Sequence, residues 1–248
     1  MALRRRSRMI TAHLRKLRVR SEISAEEERV VRGLVSETRN YRADEVMVRS
    51  GREVQSSMLL LDGWAVRSKD LRNGDRQVTE IHVPGDFPDL HGFTLKRLDH
   101  DVMTLTECVV GIVPHERLLR LTESHPHLTR VYWLATNIDA AITREAALSL
   151  GRRSAISRMA HLFCELHARL GIVGRTDGET FEFPLTQREL GECLGLTVVH
   201  VNRTLQALRR KKLVKSENRQ LSILDRRGLE SIADFDPTYL QLRRRQLA

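Results

Sequence analysis

The amino-acid sequence predicts an α+β fold with an N-terminal antiparallel β-barrel or jelly roll, a long helix, and a C-terminal winged helix-turn-helix. Three observations predict this order of elements. Short β-type segments alternate with turn residues between positions 41 and 113, a helical pattern spans about 126–150, and two short amphipathic helices meet at a tight turn within 185–208. Many short strands at such spacing are typical of a small antiparallel barrel.

The predicted strands lie between clusters of glycine, proline, asparagine and aspartate, which favour turns. They are 45–48, 57–62, 64–69, 76–83 and 102–113, the last with a break. Asn73-Gly74 predicts a hairpin turn, because both residue types tolerate positive φ. Pro84-Gly85-Asp86 marks a second break.

Charge is concentrated in two parts of the 248-residue chain, whose net charge is +10. Residues 1–20 carry eight Lys/Arg and no acid, and residues 185–224 carry a net +5. This distribution indicates a polyanionic partner. Residues 1–20 fit either a helix or a loose arm. We expect 1–23 to be a solvated, partly disordered basic arm, with an auxiliary nucleic-acid contact as the alternative. From Ser24 onward, a capping serine and three glutamates predict a helix.

Composition argues against several classes of protein. The longest apolar runs, such as 58–61, are too short to span a bilayer, so we expect a cytoplasmic protein without a membrane partner. Cys108, Cys164 and Cys193 are widely separated and predict reduced packing residues. The sequence has no glycine-rich phosphate loop, no Gly-x-Ser-x-Gly and no His-Glu-x-x-His, which argues against an enzyme.

A short helix is predicted at 114–124 and a long one from Pro126 to about 150, where Gly151 ends it. Apolar residues at near-heptad spacing on the long helix predict a seam with a second copy of the chain. The alternative is that this face packs on the chain's own barrel. The seam residues are Leu128, Val131, Ala135, Ile138 and Ile142.

The stretch 185–208 predicts the helix-turn-helix. Thr186 and Glu189 match a capping box, Gly195 is placed for a left-handed turn, and Thr197 can cap the second helix. Gly191 lets the second helix cross closely. Helices are also expected at 152–170 and 225–232, a strand at 181–183, and a hairpin wing whose strands flank 216–219. The polar outer face of the second helix suits the major groove of double-stranded DNA.

Barrel, long helix and winged helix-turn-helix, in this order, resemble the Crp/Fnr family of bacterial transcription regulators. The resemblance rests most specifically on 185–208 followed by Arg209-Arg210-Lys211-Lys212-Leu213-Val214, with Pro84-Gly85-Asp86-Phe87 and Arg153-Ser154-Ala155-Ile156 as further matches. It implies a cyclic-nucleotide-binding-like sensor domain at 24–124, a dimerisation helix at 125–150 and a DNA-binding domain at 151–233. A C-terminal tail at 234–248 lies beyond the resemblance, and its basic part, 240–248, is expected to be frayed. It also implies a homodimer on a palindromic operator that activates by recruiting RNA polymerase.

The expected DNA contacts fall into two groups. Arg203 can hydrogen-bond both major-groove acceptors of guanine, whereas Val198 and Val199 depart from the family's arginine-glutamate pair and offer only apolar contact. His200 and Asn202 complete the expected base contacts, with the DNA backbone as the alternative partner of each. The DNA backbone is expected to meet Thr186, Gln187, Thr197, Gln206, Arg209, Lys215 and Arg219.

The sensor domain lacks the family's best-known ligand signatures. Residues 87–102 contain neither the Gly-Glu-Leu run nor the Arg-Ser/Thr pair that the resemblance associates with a cyclic phosphate. No cysteine precedes Cys108, which argues against the iron–sulfur cluster of Fnr-type members. No cofactor is therefore expected. A ligand- or haem-sensing barrel that gates DNA binding is the alternative, because the chain has ten histidines.

Overall fold

The computed structural model describes residues 10–243. Two short helices come first, α1 (Thr11–Arg20) and α2 (Ala25–Gly33). Ser24 caps α2 as predicted. Its hydroxyl accepts a hydrogen bond from the Glu27 N–H at 3.2 Å, and the Glu27 carboxylate accepts one from the Ser24 N–H at 2.9 Å. This capping box satisfies backbone donors that a helix start leaves unpaired.

Seven antiparallel strands form the predicted barrel. They are β1 (Glu37–Tyr41), β2 (Val46–Val48), β3 (Ser56–Asp62), β4 (Ala65–Asp70), β5 (Arg76–His82), β6 (Asp101–Thr104) and β7 (Cys108–Pro114). They make two sheets with the orders β1-β7-β3 and β2-β6-β4-β5. A single helical turn, α3 (Gly92–Leu95), lies between β5 and β6.

Two details of the barrel differ from the prediction. Strand β1 is not predicted, because Glu-Thr-Arg-Asn-Tyr has no apolar alternation, yet it pairs with β7 over its whole length. The β4–β5 connection is longer than a two-residue hairpin, since Asp70 pairs with Arg76. Gly74 has a φ of 88°, but Asn73 does not have the positive φ that the prediction gave it.

Strand β3 explains how the barrel and the surrounding helices share one sheet. Its side chains alternate between two cores, so the strand is apolar on both faces. Met58 and Leu60 pack inside the barrel with Val110, whereas Leu59 and Leu61 pack outward with the helices. The uninterrupted apolar run at 58–61 therefore reflects burial on both sides.

Helix α4 (His115–Ser124) and helix α5 (Pro126–Arg152) follow β7, with Pro126 in the first turn of α5 as predicted. The predicted break at Gly151 is wrong, because the helix continues to Arg152. The actual break is at Ser154, whose hydroxyl accepts from the Ser157 N–H at 3.3 Å and caps α6 (Ala155–Val173).

The structure does not support the predicted dimer seam on α5. Leu128, Val131, Ile138 and Ile142 are buried against the chain's own residues, and Ala135 is half-buried. The first two pack in the cluster that contains α1 and α2, and the last two pack beside Leu240. The heptad pattern identified an apolar face correctly but could not show what covers it, so these residues leave no surface for a partner.

The C-terminal domain follows α6. Its elements are β8 (Thr176–Asp177), β9 (Thr180–Glu182), α7 (Gln187–Leu194), α8 (Val198–Arg210), β10 (Val214–Glu217), β11 (Gln220–Ile223) and α9 (Arg226–Ala233). Strands β10 and β11 form the predicted wing. The sequence did not indicate that the hairpin β8–β9 joins them in one sheet of order β10-β11-β9-β8.

The structure also contradicts the predicted solvated N-terminal arm over the part of it that is described, residues 10–23. Helix α1 is docked, not solvated: Leu14 and Leu17 are buried, and Lys16 pairs with Asp86. Arg15 donates to the Val173 carbonyl at the end of α6 at 2.7 Å. Helix α1 thus ties the barrel to α6, so this part of the chain is packed on the fold and is not a loose arm. The rest of the predicted arm, 1–9, lies outside the described residues.

The predicted frayed tail is also wrong in its described part. A 3₁₀ helix (Pro237–Leu240) packs its last residue, Leu240, against Ile138 and Ile142 on α5. Leu240 is fully buried, and its carbonyl accepts from Arg20 of α1 at 3.3 Å. Residues 244–248 lie outside the described residues.

The barrel and the C-terminal domain share one core. Trp64 and Ile81 of the barrel belong to the same apolar cluster as Phe163 and Leu194 of the C-terminal domain. The Gln77 amide of β5 also donates to the Glu192 carbonyl of α7 at 2.7 Å. The helix-turn-helix is therefore held directly on the barrel.

Candidate DNA-binding surface

The two helices of the helix-turn-helix start at the predicted caps. The Thr186 hydroxyl accepts from the Glu189 N–H at 3.2 Å, and the Glu189 carboxylate accepts from the Thr186 N–H at 2.6 Å. Gly195 ends α7 with a φ of 62°, and the Thr197 hydroxyl accepts from the His200 N–H at 3.3 Å. These local bonds fix where α7 ends and where α8 begins.

Gly191 and a small apolar interface set the crossing of the two helices. A Cβ on Gly191 would lie 2.5 Å from the Leu196 carbonyl oxygen, well inside van der Waals contact. Leu194, Val201 and Leu208 are buried beneath the turn. The inner face of α8 is therefore fixed, and its outer face projects away from the core.

The residues expected to contact bases lie together on the exposed start of α8. Val198 and Val199 are 48% and 69% exposed, which is high for such apolar side chains. His200, Asn202 and Arg203 are exposed as well, and their side chains make no hydrogen bond or ion pair with the described residues. Polar groups without an internal partner can bond to a duplex without first breaking an intramolecular bond.

The residues expected to contact the DNA backbone divide by their surroundings. Thr186, Gln187 and Thr197 are exposed at the starts of α7 and α8. The hydroxyls of both threonines already serve as caps. Gln206 is half-buried farther along α8.

The remaining three residues expected to contact the DNA backbone, Arg209, Lys215 and Arg219, lie in the wing or contact it. Arg209 donates to the Ser216 carbonyl and thereby holds the wing against α8. Lys215 pairs with Glu217 across one residue of β10. Arg219 is exposed at the tip of the turn with a φ of 57°, and within the described chain its side chain makes no ion pair. Arg209 thus has a structural bond that the sequence did not reveal.

Arg188 is a candidate that the sequence reasoning did not select. It lies in the first turn of α7, where its side chain is 79% exposed and contacts Glu192 at 3.1 Å. A cation in the first turn opposes the helix dipole, so a stabilising role for its charge within α7 is small. This unfavourable placement can be read from the sequence, and it could have identified Arg188 as a candidate for binding DNA.

Charged side chains fill the interior between the barrel and the helices. Arg67 of β4 donates to Glu80 of β5 at 2.7 Å and to Asp139 of α5 at 3.0 Å. Arg169 of α6 donates to Asp86 at 3.0 Å. The cavity that remains here is about 40 Å³. An additional anion here would have to displace these ion pairs.

The charges in this network have shifted pKa values. Burial alone would raise the pKa of Asp86, but the Lys16 and Arg169 cations outweigh it and hold the pKa well below its ordinary value. Burial raises the pKa of Glu80 to about 8 despite the neighbouring Arg67. Of the two carboxyl groups, Asp86 is therefore the one whose negative charge the neighbouring cations stabilise more strongly.

The histidines do not converge on a metal site within residues 10–243, where no group of three or more His, Cys, Asp or Glu is arranged to hold an ion. His91 and His100 approach through their Nε2 atoms at 3.3 Å, and Asp99 accepts from the Nδ1 of His100 at 3.0 Å.

Within residues 10–243, no helix has both the length and the apolar character that crossing a bilayer requires.

An antiparallel barrel joined through a long helix to an exposed recognition helix and wing defines a DNA-binding transcription regulator. Two family models match this chain: a cyclic nucleotide-binding domain over residues 38–125 and a Crp-like helix-turn-helix domain over residues 157–232. The chain belongs to the Crp/Fnr family of transcription regulators. This confirms the predicted fold class and the predicted class of function.

Curated relatives and solved structures agree with this assignment. The transcriptional activator protein FnrA of Stutzerimonas stutzeri is 26% identical over 81% of this chain and 82% of its own length. The transcriptional activatory protein AadR of Rhodopseudomonas palustris is 28% identical over 78% and 80%. The structure of FixK2 from Bradyrhizobium japonicum covers 80% of this chain and 98% of its own, with a TM-score of 0.73 and 24% identity, and shows the same fold.

Proposed function

We propose that the protein binds a two-fold symmetric DNA site as a homodimer, with α8 of each subunit in the major groove, and that it activates transcription by recruiting RNA polymerase. The observation that carries this proposal is the exposed, internally unpartnered face of α8. Activation is supported by the names of the relatives, FnrA and AadR. The protein would act in the cytoplasm, where bacterial DNA lies.

The proposed base contacts follow from the chemistry of this face. Arg203 offers two parallel donors to guanine O6 and N7, and Val199 offers methyl groups to thymine. Asn202 and His200 flank them on the same exposed helix start. A pair of valines cannot hydrogen-bond a base edge, so we expect an operator that differs from those of members with polar residues at these positions.

The proposed backbone contacts come from the helix starts and the wing. Gln187 and Arg188 would meet a phosphate near the positive end of the α7 dipole. Gln206 and Thr197 would contact the strand beside α8, and Arg219 would reach from the wing. Arg209 and Lys215 would act mainly by shaping and charging the wing, given their bonds to Ser216 and Glu217.

The dimer is proposed to form through the face of α5 that the chain itself leaves exposed. Exposed residues recur there with spacings of three and four, which is the pattern of a coiled-coil seam. Because both helix-turn-helix units must face one duplex and each follows the C-terminal end of α5, the two helices would run parallel. The stripe comprises Arg130, Trp133, Asn137, Ala140, Arg144 and Ala147.

Arg203→Ala tests the assignment of the recognition helix. We expect a loss of about 1–3 kcal/mol in operator binding and relaxed specificity at one base pair, because a bidentate base contact is lost. Binding-site selection from a random duplex pool gives the operator, and gel-shift titration gives the affinity. Arg227→Ala, which removes an exposed cation on α9, is the matched control.

Equal affinities and identical selected sites for the two variants would contradict the assignment. A loss of affinity that is uniform over all sequences would place Arg203 on a phosphate instead. The alternative of a ligand- or haem-gated barrel stays a hypothesis. Its test is the absorption spectrum and metal content of the protein, together with DNA binding in the absence of any added ligand.

A further inference from the structure

The exposed face of α5 carries one large aromatic side chain. The chain has two tryptophans, of which Trp64 is 3% exposed in the shared core and Trp133 is 67% exposed. A solvated indole leaves a large apolar area in water, which burial against a partner would remove. Trp133 also lies within the stripe proposed for the dimer.

An apolar groove of about 400 Å³ lies beside Trp133, between α5 and the segments that carry α3 and α4. We refer to it as the α4–α5 groove. No charged side chain lines it, since its histidine, His91, has a pKa that burial lowers to about 3. Its main apolar walls are Leu90, Phe93, Leu118, Leu121 and Tyr132.

The polar groups that line the α4–α5 groove already have partners. The hydroxyls of Thr122 and Thr136 donate to the Leu119 and Trp133 carbonyls at 2.7 and 2.8 Å. The Tyr132 hydroxyl bonds to His13 at 3.0 Å. The groove therefore presents methyl groups and ring faces and selects an apolar occupant.

We propose that each subunit's α4–α5 groove receives the indole of the partner's Trp133. This inference rests on the proposed dimer and adds a specific anchor to it. In a two-fold symmetric pair of parallel helices, equivalent residues lie at the same height along the axis, so each Trp133 faces the level of the other subunit's groove. The exchange is reciprocal, as an isologous interface requires.

Two features favour a second copy over another occupant. The groove is continuous with the α5 stripe, because Trp133 belongs to both the groove wall and the stripe, and the half-buried Thr136 lines the groove next to stripe residue Asn137. The stripe itself is poor in large apolar residues, with Asn137, Ala140 and Arg144 following Trp133. A buried aromatic anchor would supply the apolar contact that these residues do not.

The test measures the dimer dissociation constant of the full-length protein by sedimentation velocity over a concentration series. Trp133→Ala is expected to weaken the dimer at least about thirtyfold, as loss of a tryptophan hot spot does. Leu119→Ala is the matched control, because Leu119 is an exposed apolar residue of α4 outside the groove wall. It is expected to leave the dimer unchanged.

A double-mutant cycle locates the indole. Phe93→Ala alone is expected to weaken the dimer, and its effect is expected to shrink strongly when Trp133 is already alanine, because both changes remove the same contact. Trp133 fluorescence in a Trp64→Phe background is expected to shift to shorter wavelength as the dimer forms.

Three results would overturn the proposal in different ways. Strict additivity of Trp133→Ala and Phe93→Ala would place the indole elsewhere in the seam. A normal dimer in Trp133→Ala, together with a monomer in Ala140→Glu, would remove the anchor and leave the proposed dimer intact. A parent protein that stays monomeric at every concentration, even with operator DNA, would remove both.

Discussion

Gly191→Ala separates two opposing effects of one methyl group. In an ordinary helix position this change stabilises the fold by roughly 0.5–1 kcal/mol, because alanine loses less backbone entropy. Here the added Cβ would lie 2.5 Å from the Leu196 carbonyl oxygen. That atom belongs to the backbone of the turn and cannot rotate away, so α8 must shift. Overpacking of this kind costs about 1–3 kcal/mol, and the steric effect wins.

The matched control is Gly171→Ala. Gly171 is also helical, in α6, but an added Cβ there meets nothing within 4 Å. We expect Gly191→Ala to be less stable than Gly171→Ala by roughly 1–3 kcal/mol, because the backbone-entropy gain is common to both variants and only the overpacking differs. Urea unfolding measures the difference. Operator affinity, measured under conditions where both variants are folded, is expected to fall at least about tenfold in Gly191→Ala only, because only there does α8 shift. A tenfold change in affinity corresponds to about 1.4 kcal/mol of binding free energy. Equal stability and equal binding would refute the role of the close crossing.

Two further predictions concern buried side chains. Burial raises the pKa of Asp89 to about 7 from its ordinary 3.8, so its carboxyl binds a proton more tightly in the folded chain. Its contribution to stability is therefore lost as pH rises from about 4 to about 7, and Asp89→Asn is expected to be more stable than the parent at pH of about 8, by up to roughly 4 kcal/mol. Urea unfolding across this range checks it, and identical pH profiles would contradict it. Leu240→Ala is expected to cost about 2–5 kcal/mol, because the side chain is fully buried against α5. Thermal unfolding gives the value, and a loss below about 0.5 kcal/mol would show a loosely held tail.

Sequence was sufficient where the determining interactions are local. The caps Thr186 and Thr197 bond to N–H groups three residues away, and Gly195 supplies a left-handed residue at the end of α7. Such bonds depend on neighbours in the chain, so spacing alone identifies them. The exposed position of the expected base contacts follows from helical periodicity once these caps are fixed.

Sequence was insufficient where distant segments decide. The apolar face of α5 packs with α1 and Leu240, which lie more than a hundred residues apart in the chain. The face that stays exposed contains Asn137 and Arg144, so a search for apolar periodicity overlooks it. Similarly, the charge of Lys16 predicted a solvated arm, but its partner Asp86 lies seventy residues away.

The core shared by the barrel and the recognition domain has a consequence for how operator affinity is set. Any rotation of α7 and α8 away from the barrel would expose Trp64 and break the Gln77–Glu192 hydrogen bond. The free energy of that exposure subtracts from the free energy of DNA binding. In the proposed dimer, a duplex that requires a different spacing of the two recognition helices would have to supply this free energy. We therefore expect substitutions at Trp64 to change operator choice although Trp64 contacts no base.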